Sequence, residues 1–250
     1  MSNKIVFLTG ASSGIGKEFA HCLAKIGFDI ILASRNLNEL ENLKLNLSSY
    51  SNINIYPIEL DVSESSSIKN AIEYINSKFE SIDVLINNAG ITIENFILDM
   101  SISDFDRIFS INIKGPWLIA NNIAKLMIKN NTNGKIINIS SILAENVIPK
   151  QSLYSMTKSA LLQMTKSMAL EWARYNIQVN SISPGFVITN MNKKFFESEN
   201  GIKMYSRWPN KRVGKPEMLL STLKYLLDEK SGYITGTNII VDDGQSLKRI

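Results

Sequence analysis

The stretch Ile5-Val6-Phe7-Leu8-Thr9-Gly10-Ala11-Ser12-Ser13-Gly14-Ile15-Gly16 decides the fold. Its first five residues have no polar face, which suits a strand buried on both sides in a parallel sheet. Three glycines in the pattern GxxxGxG follow directly, and Phe19, Leu23 and Ile26 then recur at helical spacing before Gly27. A strand that runs into a helix through glycines leaves the first helical N–H groups open to a pyrophosphate. Gly10, Ser12, Ser13, Gly14, Ile15 and Gly16 are therefore candidate cofactor contacts.

Outward from this unit the alternation repeats. Short apolar runs at Ile30 to Ala33, Ile53 to Leu60, Val84 to Asn87, Lys135 to Ser140, Ile177 to Ile182 and Asn238 to Val241 read as strands. Helical periodicity lies between them, as at Ile119, Ile123 and Met127 before Gly134. Strand and helix in alternation predict an α/β fold: a doubly wound, mostly parallel sheet with helices on both faces. The 250 residues, 44% hydrophobic and 20% charged, suit one domain over 1–250, and no linker or repeat divides it. The least regular stretch, Phe186 to Gly214, carries Phe195, Phe196, Tyr205 and Trp208 and is read as a lid over an apolar ligand.

Composition excludes several functions. A single cysteine, Cys22, and a single histidine, His21, allow neither an internal disulfide nor a Cys/His metal site, so a reducing, cytoplasmic setting and no metal are expected. No apolar run reaches the roughly 18 residues of a membrane span, and the start lacks a signal-peptide core. The net charge of +4 is spread among acids, so no nucleic-acid partner is expected.

Two other motifs overlap the glycines and fail. Gly10-Ala11-Ser12-Ser13-Gly14 fits the hydrolase elbow GxSxG, but the only histidine, His21, lies nine positions beyond Ser12 on the helix that follows, with no acid between them except Glu18, so the triad reading fails. Gly16-Lys17 is followed by Glu18 where a phosphate-binding loop needs a hydroxyl for Mg²⁺. At the end of the second strand, where NAD enzymes present a carboxylate to the ribose, stand Ser34 and Arg35. A neutral residue beside a guanidinium suits a 2′-phosphate, hence NADP.

Tyr154 and Lys158 share one helix face at spacing i, i+4, but so do Tyr74 and Lys78. Context separates the pairs. Ser141 lies 13 residues before Tyr154 at a strand end, whereas Asp61 holds that place before Tyr74, whose helix face is read as solvated.

From these residues the chain resembles the short-chain dehydrogenase/reductase family, in its form of about this length and over nearly the whole sequence. Thr9 to Gly16 resembles the TGxxxGxG of the family, Asp61-Val62 its adenine contacts, and Asn87-Asn88-Ala89-Gly90 its NNAG strand end. Asn112, Ser141, Tyr154 and Lys158 resemble its catalytic tetrad, and Pro184-Gly185-Phe186-Val187-Ile188-Thr189 the loop that holds the nicotinamide carboxamide. The resemblance implies a Rossmann fold and hydride exchange between NADP(H) and a ketone/alcohol pair. Tyr154 would be the acid/base, Ser141 would bind the substrate oxygen, and Lys158 would hold the ribose. Asn112 would interrupt its helix and position a water. Asn88, Ala89, Gly90, Pro184, Gly185, Val187 and Thr189 would line the cofactor. A lysine ammonium at roughly 5 Å is expected to lower the phenol pKa by about two units.

The loops Ile91 to Phe96 and Ile142 to Leu153, which includes Leu143, would face the substrate, with Gln151 and Glu145 as polar contacts. Gln151 resembles both 3-oxoacyl-carrier-protein reductases and gluconate or polyol dehydrogenases, and Ala169 to Tyr175 looks more like the latter. A 3-oxoacyl (carrier-protein or CoA) or general ketone reductase ranks first, and a sugar-acid or polyol dehydrogenase second. A nucleotide-sensing or scaffold protein without catalysis is the rival from another class. The helices Gly115 to Lys129 and Tyr154 to Arg174 resemble the pair that forms tetramers in the family, so a homotetramer or homodimer is expected. The ending Val241-Asp242-Asp243-Gly244-Gln245 departs from the paired glycine usual there.

Overall fold

The computed structural model describes residues 3–50, 52–190 and 192–247. Seven strands, β1 Ile5–Thr9, β2 Asp29–Ser34, β3 Ile55–Glu59, β4 Val84–Asn87, β5 Lys135–Ile139, β6 Gln178–Pro184 and β7 Asn238–Val241, form one sheet in the order β3-β2-β1-β4-β5-β6-β7. Every neighbouring pair is parallel. β3 starts later than its apolar run because Asn54 is tied by its N–H and side chain to the Asp29 carboxylate (2.8 and 2.9 Å).

The helices follow the crossover rule. α1 Gly14–Lys25, α2 Leu37–Leu47 and α9 Leu220–Leu227 cover one face, and α3 Ser65–Lys78, α5 Gly115–Lys129 and α6 Ser152–Trp172 the other. Alternation along each strand feeds both cores: Val6 and Leu8 pack with Phe19, Leu23 and Leu223, while Phe7 packs with Ile119, Ile123 and Met127. Ile26 departs from the expected pattern; it falls at the C-cap of α1 and is exposed. The short α4 Ile102–Phe109 joins α5 through a π-helical turn, Ser110–Lys114, which contains Asn112. Such turns break the regular hydrogen-bond ladder and mark helix interruptions.

Phe186 to Gly214 is more ordered than its sequence implies. It holds α7 Lys193–Phe196 and α8 Glu199–Tyr205, and a parallel bridge joins Val187 to Gly214 at its base. Among the described residues no helix is long and apolar enough to cross a membrane.

Candidate active site

Strand order reverses between β1 and β4, and that switch point opens a crevice at the carboxyl ends of the strands. The Thr9 hydroxyl accepts the N–H groups of Asn88 (3.0 Å) and Ala89 (3.1 Å), and Asn88 Nδ2 donates to the carbonyls of Thr9 and Gly10. The glycine turn is thus clamped to the end of β4. Gly10 and Gly14 adopt left-handed backbone (φ +65° and +54°), and a Cβ on Gly16 would collide with the Gly10 carbonyl. Ser13 at the N-cap of α1 makes no side-chain cap bond, and the first turn carries no acid, so its N–H donors stay open. With Ser12 and Ile15 in the same turn, this donor set fits a dinucleotide pyrophosphate.

At the end of β2 the Ser34 hydroxyl accepts Asn36 N–H (3.3 Å), and Arg35 is exposed. Asp61 lies within the field of Arg35. Burial pushes the Asp61 carboxyl up, but hydrogen bonds from Ser63 (2.9 and 2.6 Å) and the Arg35 charge outweigh it, and its pKa is lowered. Val62 is buried beside it. Across the crevice Pro184 ends β6, Gly185 follows, and Phe186 N–H donates to Gln245 Oε1 (2.7 Å). Val187 is buried, and a Cβ on Gly14 would lie 3.2 Å from Thr189 Cγ2, so this loop reaches back over the glycine turn.

Tyr154 and Lys158 occupy the first turns of α6, with Lys158 Nζ 5.5 Å from the phenol ring centre. Lys158 Nζ donates to the Ile139 carbonyl (2.8 Å), and Ser141 hydrogen-bonds the Tyr154 hydroxyl while accepting Leu143 N–H (3.1 Å). Ser140 is spent on the Lys158 carbonyl (3.2 Å). A Cβ on Gly90 would lie 3.3 Å from Asn112 Oδ1 and 3.5 Å from Lys158 Nζ, so these three residues meet at one point. Asn112 uses both Nδ2 donors, on the Ile91 carbonyl and Thr157 Oγ1 (2.9 and 3.0 Å), while Oδ1 accepts Ile91 N–H (2.9 Å).

The electrostatics run against the sequence expectation for the tyrosine. Burial pushes the Tyr154 phenol above its ordinary value, only partly offset by Ser141, and burial lowers Lys158 to about 8. Loss of water is the leading influence on both groups, and it disfavours phenolate and ammonium alike. Tyr74 and Lys78 reproduce the same spacing on α3, with Nζ 3.1 Å from the phenol oxygen, but on an exposed face.

Two expected substrate contacts are redirected. The Glu145 carboxylate accepts from Asn238 Nδ2 (3.1 Å) at the start of β7 and is committed to the flank of the sheet. The lid aromatics face one another: Phe186 stacks on Trp208 (5.1 Å between ring centres) and Phe196 meets both edge-on (5.9 and 6.2 Å). Phe196 and Trp208 are thereby buried, and the segment has its own small core. Leu143 and Gln151 stay at the site, buried next to Ser141 and Tyr154. Thr92 and Glu94 escaped individual notice. They bond to Gln151 across a separation of more than fifty residues that no local pattern signals.

The crevice, its open donors, the part-buried tyrosine and the buried lysine define a nucleotide-dependent oxidoreductase, and comparison with known proteins agrees. A family model described as Enoyl-(Acyl carrier protein) reductase matches residues 10–246, and the chain belongs to the short-chain dehydrogenase/reductase family, which acts on alcohol and ketone groups with NAD(P)(H). The chain is 34% identical over 244 residues to the 3-oxoacyl-[acyl-carrier-protein] reductase of Thermotoga maritima, covering 98% of each. It is 31% identical over 248 residues to the NAD-dependent glycerol dehydrogenase of Listeria innocua, covering 99% of this chain and 96% of the other. A putative gluconate dehydrogenase from Agrobacterium tumefaciens superimposes with a TM-score of 0.92 at 30% identity, covering 97% and 96% of the two chains.

Proposed function

We propose that the protein is a cytoplasmic NADP(H)-dependent reductase that interconverts a ketone and a secondary alcohol, with 3-oxoacyl thioesters or similar ketones as substrates. The observation that carries this reading is the cluster of buried Ser141 and Lys158 with part-buried Tyr154, at the mouth of a crevice whose other wall is an open helix N-terminus.

The cofactor, when bound, supplies the hydride. Ser141 donates to the substrate oxygen and polarises the carbonyl. Tyr154, held neutral by burial, gives its proton to that oxygen as negative charge develops on it. Lys158 binds the nicotinamide ribose, and its ammonium steadies the phenolate that remains. Asn112 positions the site by tying the loop after β4 to Thr157, the neighbour of Lys158. Gly10 to Gly16 receive the pyrophosphate, Arg35 and Ser34 the 2′-phosphate, Asp61 and Val62 the adenine, and Asn88 to Gly90 the adjoining ribose side. Pro184, Gly185, Val187 and Thr189 hold the carboxamide.

A polyol or sugar-acid dehydrogenase is the second reading, supported by the polar wall around Gln151. The outward sides of α5 and α6, with Trp117, Met156 and Leu170 exposed, suit a homodimer or homotetramer. Tyr154→Phe is the test of catalysis. It is expected to cut ketone-dependent NADPH oxidation by about a thousandfold or more while NADPH binding holds. Unchanged turnover would remove Tyr154 from the chemistry, and no turnover by the unmodified protein on thioesters, ketones, polyols or sugar acids would favour a nucleotide sensor.

A further inference from the structure

The turn that follows β7 reaches back to the loop that leaves β6. Asp242 closes this turn, its carboxylate accepting the N–H groups of Gly244 (2.9 Å) and Ser246 (2.7 Å). Asp243 and Gly244 take left-handed backbone (φ +56° and +79°), and the side chain of Gln245 is thereby buried. A buried amide is costly unless it is bonded. Gln245 spends its oxygen outside its own turn: Oε1 accepts the Phe186 N–H (2.7 Å). The approach is so close that only glycine fits beside it, since a Cβ on Gly185 would lie 2.6 Å from that oxygen and 2.8 Å from Asp242 Cβ.

Phe186 is fixed from its other sides as well. Its carbonyl accepts the Gly214 N–H (2.9 Å), Gly185 N–H before it donates to the Val241 carbonyl (3.0 Å), and its ring stacks on Trp208. From Phe186 the loop runs on to Thr189, whose Cγ2 would lie 3.2 Å from a Cβ on Gly14 in the glycine turn. The main chain is therefore pinned by Gln245 one residue before Val187, in a loop whose far end lies against the turn assigned to the pyrophosphate.

We propose that Gln245 is a positioning residue for hydride transfer, acting through the Phe186 N–H to set the Pro184 to Thr189 loop where it receives the nicotinamide carboxamide. The inference rests on the NAD(P)H-dependent reading of this site and extends it to a residue outside the cofactor-binding loops. The reaction itself is unchanged: the hydride goes from the reduced nicotinamide to the ketone carbon and the Tyr154 proton to its oxygen. Gln245 governs how well the ring is aligned for that transfer, and a small misplacement of a reacting group costs rate steeply.

The test uses Gln245→Met, which keeps the length of the side chain and removes the acceptor, and Gln245→Glu, which keeps an acceptor in the same place. Ketone reduction is measured with NADPH, and calorimetry gives the affinities for NADPH and for 2′-phospho-ADP-ribose, which lacks the nicotinamide. Gln245→Met is expected to lower kcat about ten- to a hundredfold and to weaken NADPH a few-fold, while 2′-phospho-ADP-ribose binds as before. Gln245→Glu is expected to recover kcat to within a few-fold of the unmodified protein. An unchanged kcat in Gln245→Met, equal weakening of NADPH and 2′-phospho-ADP-ribose, or a loss of kcat shared in full by Gln245→Glu would each overturn the positioning role and leave the reductase reading intact. Failure of the unmodified protein to turn over any ketone with NADPH or NADH would overturn both.

Discussion

Replacing Lys158 by methionine should destroy activity and yet make the protein more stable at neutral pH. The side chain is buried against Ile139 and Gly90, and its pKa is held at about 8 against an ordinary 10.5. Keeping the ammonium in that place costs folding roughly 3 kcal/mol wherever it is charged in both states. Methionine removes that cost but leaves the Ile139 carbonyl without its donor, a loss of about 1 kcal/mol. The net gain of about 2 kcal/mol corresponds to a melting temperature higher by roughly 4 °C in a chain of this size. The pH dependence fixes the sign. Below pH 8 native and unfolded chains both carry the proton and the penalty is complete. Between about 8 and 10.5 only the unfolded chain carries it, so the stability of the unmodified protein rises with pH. Thermal melts of both proteins should therefore show the variant ahead at pH 7 and the advantage nearly gone by about pH 9.5. A variant that melts several degrees lower at pH 7 would refute the claim that burial, and not attraction to a partner, governs this lysine.

Ketone reduction should fall as pH rises through about 8, because Lys158 then loses the proton that steadies the phenolate; a rate flat to pH 10 would contradict this. Arg35→Ala should lower kcat/KM for NADPH by about ten- to a hundredfold and leave NADH nearly unaffected, and equal effects on both would remove the 2′-phosphate assignment. Asp243→Gly should loosen the segment from Phe186 to Gly214. Asp243 holds Arg212 through two bonds (2.7 and 3.2 Å) and Asn210 through one (2.6 Å). Faster proteolysis between 192 and 212, with KM raised a few-fold, is the expected readout, and unchanged cleavage would count against it.

Much of this was legible in the sequence for definite physical reasons. The inner strands are buried along nearly their whole length and stand out as short continuous apolar runs, the part-buried edge strands β3 and β7 still carry enough isoleucine to be recognised, and glycines that must take positive φ show where the first strand turns into its helix. The family resemblance implies a helix interruption at Asn112, the poor helix propensity of asparagine is in keeping with it, and the chain has a π-helical turn there. Tyr154 and Tyr74 show the limit of local pattern, since both form the same pair with a lysine four residues on, and only the strand ending in Ser141 separates them. What the sequence left hidden depends on tertiary burial. The direction of the Tyr154 shift is set by loss of water, Glu145 is drawn away by Asn238 on a distant strand, and the lid aromatics found partners within their own segment. The departure at Asp243 acquired its meaning only in three dimensions, where a left-handed residue (φ +56°) also carries the carboxylate that holds Asn210 and Arg212.

The interlock of Gly10 and Gly16 with Asn88 and Ala89 leaves no room for a single added carbon at either glycine. On the proposed assignment, adaptation to a different dinucleotide would be barred from the turn that receives the phosphates and displaced to the end of β2, where Ser34 and Arg35 border solvent and can be exchanged without disturbing a core residue. The two halves of cofactor recognition are free to evolve at very different speeds, one frozen by sterics and the other open to drift.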